Sequence, residues 1–539
     1  MRRFRLTKAA KILLTVIIVA LIGGGVVAGI KTGFIKTESE SKAEEGSKEV
    51  VSNKTETKPS DAKNEKPATN TSEQTDDGRT INLSLDEWTG WKSIIDANGG
   101  LTTQEGSEYA KRGLNVNISI INDATQSSNA LINGSLNAAG YTINRTAFLS
   151  QKFKKAGFEI VMPYMTNYSN GGDGIIAKSS ITKIEDLVGA KVGVPQFSEA
   201  HSLVVWFVNQ SDLTEEQKNS IIDNLIYFET PDECAKAFFA GQVDVSATWE
   251  PYLTQAENMT DSHILFSTKT SSNLIMDGIV FNKEFAETNP DAIRDFIDGS
   301  LAAADMYATE FNAIRKVMPM FSTSSDEDII ASTQAAKLTT WADNMDLLKG
   351  TAKSIYTDMC DVWSSIGESV NYEIVDELFD TAYMEMLTGV YDMTEVSTGK
   401  NTVVVTEENK QDIIDAEALL TKSASVQFVI NTAKFTDSAA AAQTLDDFIK
   451  VAKILDGAII EIAGNTDPNL VTDPTDEYNI KLSWQRAEAV KQYFILNGIS
   501  ADRIVTVGNG SSNPIVENDT DEHKAMNRRT DVSFKIIEN

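Results

Sequence analysis

Arg486 stands on a face where a charge is costly. Leu482, Ala489, Val490, Tyr493 and Leu496 recur at helical spacing within 480–497, and Arg486, four residues after Leu482, falls on the same stripe. A guanidinium carried into an apolar face must meet a carboxylate or an anion, or the domain loses stability. Asp467 is the candidate for a structural pair. A second set of residues stands where strands end and helices begin. Thr89, Gly90 and Trp91 follow the run INLSL. Tyr141 and Thr142 follow a run after Gly134, Ser198 and Glu199 open a helix over 199–209, and Trp249 with Glu250 follow VDVSAT. Helix N-termini at such ends favour an anion. Glu87, Glu199 and Glu250 sit at the same ends with no arginine evident, and buried carboxylates need partners, so either they face solvent or the ligand carries an amino group, as a zwitterion or a cationic amine does. Both signs stay open. Taken singly, each residue has a plainer role: Trp88, Trp91 and Trp249 as packing aromatics, Ser198 as a helix cap of about 1 kcal/mol, Tyr141 and Thr142 as connectors.

Catalysis has little to work with. No GxSxG, HExxH or P-loop stands in a fitting context, so no enzyme is expected. Three histidines (His201, His263, His523) and two distant cysteines (Cys234, Cys360) make neither a zinc site nor a disulfide framework, and no cofactor is expected. The 539 residues carry 48 basic and 78 acidic side chains, a net charge of −30, which argues against nucleic acid as a partner. With 41% hydrophobic and 23% charged residues, the chain is globular in composition and long enough for two to four domains.

The elements that would position these residues fall into blocks. Residues 12–30 form a 19-residue run without charge, ILLTVIIVALIGGGVVAGI. At 1.5 Å per residue it reaches about 28 Å, enough to cross a hydrocarbon core. Arg2, Arg3, Arg5, Lys8 and Lys11 precede it, while Lys31 and Lys36 follow. That bias predicts an uncleaved anchor: a single-pass cell-membrane protein, N-terminus in the cytoplasm and bulk outside. Domain 1–35 is therefore stub and span. Residues 36–80, rich in Lys, Glu, Ser and Thr, read as a disordered tether with a mean span on the order of 35–40 Å.

From residue 81, short β runs alternate with helical ones: INLSL (81–85), VNISII (116–121) before a Ser-capped helix at Ser127–Ser128, and EIVMPY (159–164) after a helix ending at Gly157. Such alternation predicts α/β architecture with parallel sheets, ligands lying at strand carboxyl ends. After a linker at 391–410, residues 411–539 read as β-α-β-α-β-β. Strands are expected at SVQFVI (425–430), AIIEIAG (458–464), RIVTVG (503–508) and DVSFKII (531–537), with Val532, Phe534 and Ile536 inward. Helices are expected at 439–455 and 480–497.

Two resemblances follow. DGIIAKSSITKIEDLVGAKVGVPQFSEA (173–200) with AKAFFAGQVDVSATWEPYL (235–253) resembles the nitrate/sulfonate/taurine class of substrate-binding proteins of ABC importers. The resemblance covers about 81–390 and implies a bilobal periplasmic-binding-protein-like clamshell. Lobe one would hold about 81–175 and 280–390 and lobe two about 178–277, with chain crossings near 174–178 and 278–282. It also implies a small-molecule ligand held between the lobes by the strand-end residues above, and an ABC transporter permease as partner.

EIAGNTD (461–467), YNIKLSWQRAEAVKQYFILNGI (478–499), RIVTVGNG (503–510) and NRRTDVSF (527–534) resemble the OmpA-like peptidoglycan-binding domain, an α+β fold, over 411–539. In that family the positions matching Asp467 and Arg486 grip diaminopimelate in the peptidoglycan stem peptide. The carboxylate takes the ammonium and the guanidinium takes a carboxylate in a two-pronged pair. The resemblance makes Thr466 and Asn479 hydrogen-bonding helpers and Arg528 a supporter. Asn465 replaces the family's histidine, and the loop 468–477 is longer than usual. The combined expectation is a membrane-anchored, wall-attached solute receptor; the alternative is a structural membrane-to-wall tether or sensor without transport.

Overall fold

The computed structural model describes residues 78–271, 273–391, 393, 403–424, 426, 428–429, 432–468 and 477–537, within one compact unit, Gln74–Asn539. The expected span at 12–30, nearly all of the tether and most of the 468–477 loop lie outside them. Among the described residues, no helix is long and apolar enough to cross a membrane.

Four strands open the first sheet: β1 (Thr80–Leu85), β2 (Asn115–Ile120), β3 (Ala138–Thr142) and β4 (Ile160–Ser169). Ile81, Leu83 and Leu85 are fully buried, and every residue of β3 and β4 is buried, as a sheet covered on both faces requires. The chain then crosses and builds a second sheet from β5 (Asp173–Lys178), β6 (Val192–Pro195), β7 (Ile226–Phe228), β8 (Val245–Trp249) and β9 (Ser262–Ser267). It returns through β10 (Met276–Asn282) and β11 (Ala336–Leu338). The orders are β11-β4-β10-β3-β1-β2 and β7-β6-β8-β5-β9, so two lobes each own a sheet.

The crossings therefore fall at 170–172 and 268–275, earlier than the expected 174–178 and 278–282. Gly174 and Gly278 look like connector residues in the sequence but are strand residues. A Cβ at Gly174 would stand 2.4 Å from the Phe266 carbonyl oxygen, and one at Gly278 would stand 2.8 Å from that of Tyr164. Close backbone approach inside sheets, not hinge flexibility, explains these glycines.

The helix Ile143–Ala156 starts at Thr142, whose hydroxyl accepts the Arg145 N–H at 2.9 Å, and ends at Gly157 with φ 64°. This is the expected end. The helix Ala124–Ile132, by contrast, is capped by Asp123, while Ser127 and Ser128 lie buried in its interior. Asp123 supplies the acceptor, so the serines bond back to the Ala124 carbonyl instead.

The C-terminal sheet has the order β12-β15-β13-β14, from β12 (Leu420–Ala424), β13 (Ile459–Gly464), β14 (Ile504–Gly508) and β15 (Thr530–Lys535). Its helices are Ser438–Ile454 and Glu477–Leu496. The first strand precedes the expected 425–430; of that segment, Phe428 makes only an isolated bridge to Phe435. Val532 and Phe534 are fully buried as expected. The helix Glu477–Leu496 buries Asn479, Leu482, Ser483, Arg486, Ala487, Val490 and Phe494, whereas Leu496 is 84% exposed.

This domain rests directly on lobe two. The Ile184 N–H donates to the Leu419 carbonyl (3.4 Å) and Lys422 Nζ to Gln210 Oε1 (3.1 Å). The second crossing is held too: Ser271 Oγ donates to the Ile454 carbonyl (2.6 Å), Asn273 Nδ2 to that of Lys453 (2.7 Å), and the Gly457 N–H to that of Thr270 (2.9 Å).

Candidate binding sites

In the first lobe β1 pairs in parallel with both β2 and β3; in the second, β6 pairs in parallel with both β7 and β8. Each is a point where strand order reverses, leaving a crevice outside the carboxyl ends. Asp86 leaves the end of β1, Thr142 ends β3, and Ser198–Glu199 follow β6. The antiparallel β10 brings Asp277 opposite both Thr142 and Asn167.

Arg145 ties the two crevices together. Its Nε and Nη2 donate to the two carboxylate oxygens of Glu199 at 2.9 and 2.8 Å, while Thr142 Oγ1 donates to Glu199 at 2.9 Å. Asn144 Nδ2 donates to Ser202 Oγ (2.9 Å), and Phe148 stacks on Phe197 at 4.8 Å. Residues of lobe one thus hold the first turn of a lobe-two helix.

Three more carboxylates stand here. Asp86 accepts from Trp91 Nε1 at 2.6 Å, and burial raises its pKa despite the nearby Arg145. Asp173 accepts from Ser169 Oγ at 2.8 Å, and burial pushes it up to about 7. Asp277 is driven well above the ordinary carboxylate range by burial and by the charges of Asp86, Glu199 and Asp173. For Glu199 burial acts upward too, but Arg145 outweighs it and the carboxyl ends below its usual range.

The strand-end candidates divide. Trp91, Tyr141, Thr142 and Glu199 gather around Asp86 and Arg145; the Tyr141 hydroxyl bonds Ser127 Oγ at 2.7 Å. Thr89 and Gly90 lie in a short 3-10 turn, where the Thr89 hydroxyl donates to the Ser332 carbonyl. Ser198 caps its helix, accepting the His201 N–H at 3.2 Å. Trp249 is 41% exposed, and Glu250 accepts from Thr254 in the next turn. Glu87 exchanges hydrogen bonds with Asn122 at the surface. Sequence reasoning missed Arg145, Asp86, Asp173 and Asp277. Arg145 follows the helix cap Thr142 by three residues, and Asp86 directly follows a strand, so position along the elements was the available signal. Both cysteines are buried free thiols, pushed up to about 12 by burial.

In the C-terminal domain, Asp467 ends the segment after β13 and is 5% exposed; Arg486 is 6% exposed on the facing helix. Arg528 takes the ion pair with Asp467, through Nη1 and Oδ2. Arg486 Nε donates to the Thr432 carbonyl at 3.3 Å, and its guanidinium lies 5.0 Å from the Phe428 ring centroid. No carboxylate reaches ion-pair distance of it among the described residues. Burial and the charge of Arg528 lower its pKa, with Asp467 acting against them. The Thr466 N–H donates to the Gly510 carbonyl at 2.8 Å, while its buried Oγ1 has no partner among the described residues. Asn479 is buried on the helix. Asn465, where the family has histidine, donates to Asp531 and accepts from Asn509, both at 3.0 Å, and so braces the fold.

The architecture is a two-lobed α/β fold followed by an α+β domain with a buried acid–guanidinium cluster. Residues 99–310 match the NMT1/THI5 like family, and residues 427–528 match the OmpA family. Both resemblances seen in the sequence are borne out. Outer membrane protein A of Bordetella avium is 41% identical over 92 residues, 17% of this chain and 45% of that protein. The peptidoglycan-binding protein ArfA of Mycobacterium tuberculosis is 43% identical over 75 residues, 14% of this chain and 22% of that protein. The chain spans less than half the length of the curated relatives it matches. The periplasmic aliphatic sulphonate binding protein SsuA from Escherichia coli aligns at 15% identity and TM-score 0.42, over 57% of this chain and 99% of that one. The periplasmic nitrate-binding protein NrtA from Synechocystis PCC 6803 aligns at 14% identity and TM-score 0.43, over 60% and 91%.

Proposed function

We propose that this chain is a cell-envelope solute receptor, attached to the membrane by 12–30 and to peptidoglycan by its C-terminal domain. The clamshell closes on a small molecule and delivers it to an ABC importer permease. The observation that carries this reading is the pair of facing crevices bridged by Arg145 and Glu199. A contact that joins lobes only when they meet is the device by which a two-lobed protein couples closure to capture. The wall domain adds the second attachment. Arg486, buried and without a paired carboxylate among the described residues, offers a two-pronged site for a stem-peptide carboxylate. Asp467 beside it offers an acceptor for the ammonium of the same diaminopimelate, Arg528 steadies that acid, and Thr466 and Asn479 assist.

Two measurements test this. Ligand binding stabilises the folded state by RT ln(1 + [L]/Kd), about 2.7 kcal/mol at a hundredfold excess over Kd, so a solute panel should raise the Tm. If no compound does, a wall tether remains and transport is refuted. Asp467→Ala and Arg486→Ala should each abolish pull-down by purified peptidoglycan while circular dichroism stays unchanged; undiminished pull-down in both refutes wall attachment.

A further inference from the structure

The crevice between the lobes carries an imbalance of charge that its hydrogen bonds do not resolve. Asp86, Asp173, Glu199 and Asp277 lie within electrostatic reach of one another, and Arg145 is the cation that reaches Asp86 and Glu199. Arg145 is committed to Glu199 through both of its prongs. Among the described residues, no lysine or arginine nitrogen comes within ion-pair distance of Asp86, Asp173 or Asp277. Asp86 has one indole N–H and Asp173 one hydroxyl. Asp277 is 3% exposed; the Trp88 indole is a hydrogen-bonding neighbour of its carboxyl, and among the described residues its Oδ2 has no hydrogen-bond partner. It stands among acids from both sides of the cleft, opposite Thr142 on β3 and Asn167 on β4.

We propose that the crevice binds a small organic cation, an ammonium or amidinium, whose N–H donors are taken by Asp277 together with Asp86 and Asp173. This rests on the solute-binding reading and assigns its ligand class. A desolvated carboxylate oxygen without a donor is costly, and a cationic N–H removes that cost while offsetting the mutual repulsion of the acids. The competing pull comes from the N-terminus of the helix Glu199–Gln210, equivalent to roughly half a positive charge, and Glu199 already occupies that turn. A bound cation lets these three carboxyls, which burial holds toward their neutral forms, ionise against it, and together they outweigh that half charge. An anion placed here would meet those acids, and among the described residues the guanidinium beside them, Arg145, is already committed to Glu199.

The test uses the purified full chain in detergent at pH 8, followed by thermal unfolding. One arm holds putrescine, agmatine, spermidine and benzamidine; a second holds methanesulfonate, nitrate and phosphate; a third holds glucose. At least one cation should raise the Tm by several degrees, and Asp277→Asn should abolish that rise. Asp173→Asn gives the same reading should the first variant fail to fold. A rise with an anion or with glucose alone, or a cation-induced rise that both variants retain, overturns the cationic class and leaves the solute-binding reading intact. Silence from every compound overturns both.

Discussion

Asp86 and Glu87 are neighbours, both half-buried, with different partners. Asp86 accepts from the Trp91 indole, whereas Glu87 exchanges hydrogen bonds with Asn122. Asp173 carries a testable consequence of burial. Raised to about 7, it holds a proton in the folded state that the unfolded chain releases near 3.8. Its contribution is thus present below pH 3.8 and is lost as pH climbs towards 7, at about 1.4 kcal/mol per pH unit for a single proton. Denaturant titrations without ligand should show that decline, and Asp173→Asn should flatten it. An identical pH profile in the variant would show that the carboxyl is not buried as described.

At the scale of elements, closure depends on one helix turn meeting another. The helix Ile143–Ala156 presents Arg145, and the helix Glu199–Gln210 begins with its partner. Both side chains are 17% exposed, so breaking the pair should cost less than the 3–5 kcal/mol of a fully buried one, about 1–3 kcal/mol. Glu199→Gln leaves an oxygen acceptor but removes the charge. The lobes should then separate, seen as a larger radius of gyration in small-angle scattering; an unchanged scattering curve would mean that other contacts hold the closed form. The helix Glu477–Leu496 illustrates how the same periodicity serves two ends. Leu482, Val490 and Phe494 pack inward, and Arg486 on that face is held against the Phe428 ring and the Thr432 carbonyl.

Across the whole molecule, the C-terminal domain is not a free passenger. Its helix Ser438–Ile454 ends against the segment through which the chain returns from lobe two to lobe one. Gly457 permits the contact, since a Cβ there would stand 2.6 Å from the Thr270 carbonyl oxygen. Gly457→Val should prise the junction apart, so that calorimetry resolves separate transitions and proteases cut within 391–410 sooner. A single unaltered transition would show the junction to be incidental.

Much of the architecture was legible in the residues. Alternating β and helical runs announced the α/β lobes, the motifs around 173–253 and 461–534 announced the two family resemblances, and Arg486 declared itself by standing on an apolar stripe. These features are local: periodicity, caps such as Ser198 and the helix end at Gly157, and short-range spacing are written within a dozen residues or so. The crevice was not legible in the same way. Asp86, Arg145, Asp173 and Asp277 are far apart along the chain, and each taken alone resembles any other surface charge. The return of β10 between β3 and β4 brings Asp277 to the crevice, and the meeting of the two lobes buries these groups together. Charge pairing is likewise a tertiary matter, because Asp467 finds Arg528 and not Arg486 only once β13 and the chain leading into β15 lie side by side. Burial and electrostatic partnership depend on distance in space, which spacing along a chain does not encode.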